Sequence, residues 1–166
     1  MVSRKRAREE VEEPEEDGNA EPSTLERIRN MWRFASLMQY LFLFGKAVKV
    51  DEIDVENDNT QQDFEDECLK PQSSDRLPKI GLALLKYVSS HKGLTLEIFD
   101  EYARRQYVAK APQRNPFGVE EEPNKFTDFD VFEKIRVLQQ LSTWTLGNAD
   151  RIREKMPDRD NEQTNW

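Results

Sequence analysis

From Leu37 to Phe44 the chain has a single polar residue, Gln39. Upstream, Leu25, Ile28, Trp32 and Ala35 follow one another at helical spacing, and Met31, Phe34, Met38 and Leu41 make a second row beside them. A helix on the surface of a small domain keeps one face for water. A helix apolar nearly all round must be covered on more than one side. This segment therefore demands other helices to pack on it, a partner, or both. The run from Phe34 to Phe44 has about half the length of a membrane-spanning helix and includes Ser36 and Gln39, so no membrane span is expected.

The rest of the chain supplies helices to do the covering. Ser23 and Glu26 form a capping box behind Pro22, and Gly45 is expected to take the left-handed position that ends the first helix. Phe64, Cys68 and Leu69 predict a short helix from about Thr60 to Leu69, and Pro71 to Asp75 reads as a turn. Leu77, Ile80, Leu84 and Val88 predict a helix from about Arg76 to His91, its apolar face widened by Leu82, Ala83, Leu85 and Tyr87. Thr95 is expected to cap the next helix, which carries Leu96, Phe99, Ala103 and Tyr107. A helix starting near Thr127 or Asp128 presents Val131, Ile135, Leu138 and Leu141, with Phe132 and Trp144 beside them. Gly147 ends it, and Asn148 is expected to cap a last short helix bearing Ile152 and Met156.

No strand or internal repeat is expected. The fold class is all-α, a small bundle of five to six helices with disordered acidic and basic termini. The expected organisation is a tail over 1–22, a helical module over 23–107, an irregular connection over 108–126, further helices over 127–156 and a polar tail over 157–166. A chain of 166 residues suits one domain with a proper core.

Candidate chemistry is sparse. With one cysteine, Cys68, and one histidine, His91, the chain alone builds neither a four-ligand zinc site nor a disulfide framework, which fits a reducing compartment. Asp54, Glu56, Asp58 and Glu65 stand at positions 1, 3, 5 and 12 of a calcium-loop pattern. Asn59 replaces the glycine of that pattern and Gln61 its apolar residue, so a solvated acidic loop is the simpler reading. His91 and Cys68 would make a base and nucleophile only if folding joined them, and neither has an orienting third group in the sequence. There is no phosphate loop, nucleotide fingerprint or serine elbow. No enzyme activity, cofactor, metal or small-molecule substrate is expected.

Charge is more informative. The net charge of −8 opposes nucleic-acid binding over the whole surface. Asp51 to Glu67 holds nine acids and no Lys or Arg, whereas Arg76 to Gly118 holds eight Lys or Arg against three acids. Arg104, Arg105, Lys110 and Arg114, with Arg151 and Arg153 further on, are the candidate DNA contacts; Lys134, Arg136 and Lys155 lie near them in sequence. The competing reading is that these cations balance the acidic segment within the molecule. At the N-terminus no apolar stretch follows the basic residues, so no secretory signal is expected. Arg4, Lys5, Arg6 and Arg8 instead make a short cluster suited to nuclear import, and a nuclear location is expected.

Four segments together resemble a known family. Phe34 to Gly45, an aromatic and leucine-rich helix closing on Phe44-Gly45, resembles the first helix of the DDT domain. Phe64-Glu65-Asp66-Glu67-Cys68-Leu69 resembles its acidic strip ending in leucine, and Ile80-Gly81-Leu82-Ala83-Leu84-Leu85 its double-leucine helix. Phe132 to Leu141 looks like the first WHIM motif, which follows DDT in chromatin-remodelling subunits. The resemblance spans residues 25–156. It is similar to fungal nuclear proteins that carry a PHD finger further on; no Cys/His array follows here, and the acidic insertion from Asn57 to Gln62 is longer than usual. The resemblance implies a non-catalytic subunit that docks on an imitation-switch-type remodelling ATPase or another nuclear protein, with linker DNA as a possible second partner. Phe42, Phe44, Leu84, Leu85, Leu138 and Leu141 match its motif positions, as core or partner-binding residues.

Overall fold

The computed structural model describes residues 21–50, 60–70 and 75–148. Among them are six α-helices and no strand: α1 Thr24–Arg29, α2 Trp32–Phe44, α3 Thr60–Leu69, α4 Arg76–Val88, α5 Phe99–Lys110 and α6 Val131–Thr145. Short 3-10 turns lie at Leu96–Ile98, Pro112–Arg114, Phe126–Asp128 and Leu146–Asn148. The all-α bundle expected from apolar spacing is present.

The capping box forms as expected. Glu26 N–H donates to Ser23 Oγ and Ser23 N–H to Glu26 Oε2, both at 3.2 Å. The single opening helix does not. Met31 takes an extended backbone (φ −79, ψ 123) and divides it into α1 and α2. Asn30 precedes the break, a residue whose side chain competes for backbone groups and weakens helix interiors. The break lets Ile28 enter the core completely while Arg29 reaches Glu65 of α3.

Gly45 also departs from expectation. It stays in the right-handed helical region (φ −55, ψ −42), and the left-handed position falls to Lys49 (φ 58). Val50 N–H bonds Gly45 O at 2.9 Å and Lys49 N–H bonds Lys46 O at 3.1 Å. These are the two hydrogen bonds of a Schellman closure, one turn beyond the glycine. Ala47, Val48 and Val50 are buried by this extra turn, and that burial outweighs the cost of a lysine in the left-handed region.

Helix α6 lies at the centre. Its buried residues run around most of its circumference and include Lys134, Gln139, Gln140, Ser142 and Thr145 as well as Ile135, Val137, Leu138 and Leu141. It starts one turn later than expected, on Asp130, whose carboxylate accepts from Glu133 N–H at 2.8 Å. Helix α2 runs alongside it in the same direction, since Arg33 meets Gln139 and Tyr40 Oη meets Thr145 Oγ1. On the other side α4 crosses α5 and α6 at Gly81, where a Cβ would stand 2.7 Å from the Phe99 ring and 3.3 Å from Leu138. Pro78 is accommodated in the first turn of α4, where helix N–H groups have no intrahelical acceptor.

Helix α5 is entered through the Leu96–Ile98 turn, and Thr95 makes no side-chain capping bond. The connection after α5 is irregular yet tightly held. Phe117 and Phe126 are fully buried. Rings at Phe99, Phe126, Phe129, Phe117, Tyr107 and Trp144 touch in series, with centroids 4.9 to 6.1 Å apart. Asp100 of α5 accepts the Phe126 N–H at 3.0 Å, and Asn124 N–H closes on Phe117 O at 2.9 Å. The buried apolar residues from Ile28 to Leu141 form one cluster, so α6 and the earlier helices share a core.

Candidate functional site

Helix α2 has two unlike faces. Phe34, Leu37, Met38, Tyr40 and Leu41 are buried against α6 and its neighbours. Trp32, Ala35, Gln39, Phe42 and Leu43 point to solvent, at the three- and four-residue intervals that place side chains on one side of a helix. Trp32 is 66 % exposed, Phe42 50 % and Leu43 45 %. Three large apolar side chains along one helix face are more than a scatter of single exposed residues. The apolar surplus in the sequence is therefore only partly covered by the bundle.

The motif residues divide accordingly. Leu84, Leu85, Leu138 and Leu141 are fully buried core. Phe44 is half-buried, its ring 5.2 Å from Tyr40, whose hydroxyl burial pushes up to about 12. Phe42 faces outward.

The basic candidates are not equivalent. Arg104 is tied down by the Glu101 carboxylate and by the Glu120 carbonyl. Arg105 pairs with the same Glu101 at 3.3 Å and lies over the Tyr102 ring. Lys110 sits 5.3 Å from the centre of the Trp144 ring, and partial burial lowers its pKa. Arg114 reaches Gln140 at 3.5 Å. Arg151 and Arg153 fall outside the described residues, as do Arg4, Lys5, Arg6 and Arg8. Arg33 was not singled out by sequence, yet it joins this surface from α2, donating to Gln139 Oε1 at 2.7 Å and stacking on Trp32.

The remaining constellations are placed as follows. Of the calcium-loop positions, Asp54, Glu56 and Asp58 lie outside the described residues. Glu65 belongs to α3, where both its oxygens are taken by Arg29 at 2.7 and 3.0 Å, and that guanidinium holds its carboxyl below the usual range. Among the described residues no three His, Cys, Asp or Glu gather as metal ligands. Cys68 is buried in α3 and its thiol is pushed up to about 12 by that burial, far from a nucleophile's range. His91 stacks on Tyr102 in the turn after α4, with ring centres 4.3 Å apart. A shallow groove of about 320 Å³ between α1 and α3 has the Arg29–Glu65 pair among its lining and Leu25 and Leu69 at its edges.

No helix among the described residues is long and apolar enough to cross a membrane. Compared with known proteins, the chain matches no family model, no curated protein and no solved structure.

Proposed function

We propose that this chain is a non-catalytic subunit of a nuclear chromatin-remodelling assembly, docking an imitation-switch-type ATPase or a comparable nuclear protein by helix packing. The docking surface is the outer face of α2. The observation that carries the reading is the exposure of Trp32, Phe42 and Leu43 on the helix whose opposite side anchors the core. A rigid helix offers such residues without the entropy cost of ordering a loop. Covering a large apolar side chain contributes about 1.5–3 kcal/mol, and tryptophan is enriched among residues that dominate interfaces. The order of the DDT-like and WHIM-like segments, and the basic cluster Arg4 to Arg8, are what point to a nuclear partner of this class.

A photo-crosslinking amino acid placed at Leu43 in the full chain tests this in nuclei. The expected result is a crosslink to a remodelling ATPase from position 43 and none from Val119, which is exposed on the loop after α5. Equal crosslinking from both positions, or no ATPase from either, contradicts the reading.

A further inference from the structure

Gln139 and Gln140 are consecutive buried residues of α6, and each anchors a guanidinium from another part of the chain. Arg33 of α2 donates to Gln139 at 2.7 Å, and Arg114 of the Pro112–Arg114 turn donates to Gln140 at 3.5 Å. Arg136 precedes these glutamines by three and four residues, so it emerges on the same face of α6. Three arginines from three segments thus converge on one corner of the bundle. Two of them rest on neutral amides rather than on carboxylates. The carboxylate that does stand here is Glu133, 2.9 Å from Arg136 Nη1.

We propose that Arg33, Arg114 and Arg136 form a receptor for a phosphate monoester, the phosphoserine or phosphothreonine of a partner protein. The charge fits. Three guanidiniums less one carboxylate leave two positive charges, against roughly −1.5 to −2 on such a phosphate at neutral pH. The shape fits as well, because planar guanidinium forks pair bidentately with phosphate oxygens. Gln139 fixes the Arg33 head in advance, and its own amide is held by Thr143 at 2.9 Å. Burial first, and then the charges of Arg114 and Arg136, depress the Arg33 pKa, with Tyr107 and Glu133 opposing them.

A duplex backbone is the less suitable ligand. It spreads single charges along a line and calls for a matching track of cations. The neighbouring Arg104 is already committed to Glu101 and Glu120, and the whole chain carries a net charge of −8. The corner adjoins the docking face through Trp32, over which the Arg33 guanidinium lies at 4.6 Å, but uses different groups and stands or falls apart from it.

The test is an NMR titration of the full chain, following the arginine Nε–Hε signals, with N-acetyl-O-phosphoserine amide as probe. Saturable shifts at Arg33, Arg114 and Arg136 are expected, with far weaker responses to N-acetylserine amide and to dimethyl phosphate. Arg136→Gln, at a half-exposed head, is expected to weaken binding about tenfold with an unchanged melting temperature, the effect of losing one charge-assisted hydrogen bond. Arg105→Gln is expected to leave binding as it was. No saturable shift, an equal response to dimethyl phosphate, or undiminished binding by Arg136→Gln overturns the proposal. Stronger competition per phosphate by a short DNA duplex also overturns it, and assigns the corner to a nucleic-acid backbone instead.

Discussion

Lys49 shows how a single residue departs from what its neighbours suggest. A glycine four positions earlier looked like the natural helix stop, yet the left-handed angle falls on lysine because Ala47, Val48 and Val50 gain cover by one more turn. Lys49→Gly is expected to raise stability by about 1 kcal/mol in urea denaturation, since glycine takes that angle without a Cβ clash. Asp100 behaves differently. Burial raises its carboxyl pKa, while the Phe126 N–H it accepts opposes the rise. Asp100→Ala leaves that N–H without its acceptor and is expected to cost about 1–3 kcal/mol; Asp100→Asn keeps an acceptor oxygen, sheds the half-buried charge and is expected to cost less. At Glu65 the folded pKa is depressed by Arg29. Its contribution is therefore present above the unfolded value and is lost as pH falls through the folded one. In Arg29→Ala the Glu65 titration, followed by NMR, is expected to move upward.

Helix α4 owes its place to Gly81. Its missing Cβ lets the Phe99 ring and Leu138 come close enough to join α4, α5 and α6 at one crossing. Gly81→Ala gains about 1 kcal/mol of helix propensity but forces the Phe99 ring aside, and overpacking costs about 1–3 kcal/mol. Net destabilisation in thermal melts is the expected outcome, with Phe99→Leu in the same chain restoring part of the loss. At this scale apolar spacing located the helical segments of the described part, including the short α3 but not the break between α1 and α2, because periodicity reports which residues leave water. It misjudged which helix is most enclosed. Helix α6 looked one-sided, since Lys134, Gln139, Gln140 and Thr145 are polar. They are nevertheless buried, and the glutamines and Thr145 are satisfied by Arg33, Thr143, Arg114 and Tyr40. Helix α2 looked apolar nearly all round, and the bundle leaves one side of it open. Hydrogen bonds made across a fold leave no mark in a hydropathy pattern.

The bundle as a whole is tied together by the segment that looked least structured. Three prolines and the acids Glu120 to Glu122 made the chain after α5 read as a connection, which its backbone is; Phe117 and Phe126 inside it are nonetheless core. Isolated aromatics outside any periodic row were the available signal. The candidate site was legible in part: the α2 surplus was visible, but which of its residues stay outside depended on how α6 covers the rest. The arginine corner was hidden, because Arg33 stands far from Arg114 and Arg136 in sequence. The proposed docking role is most directly tested by purifying tagged full chain from nuclei, unaltered and as Trp32→Glu with Phe42→Glu, and measuring the remodelling ATPase recovered with each. Both substitutions fall on exposed side chains and are expected to change stability by no more than about 0.5 kcal/mol each. The ATPase is expected with the unaltered chain and at least about tenfold less with the double variant at matched melting temperature. Equal recovery with both, or no ATPase with the unaltered chain, would contradict a docking face on α2.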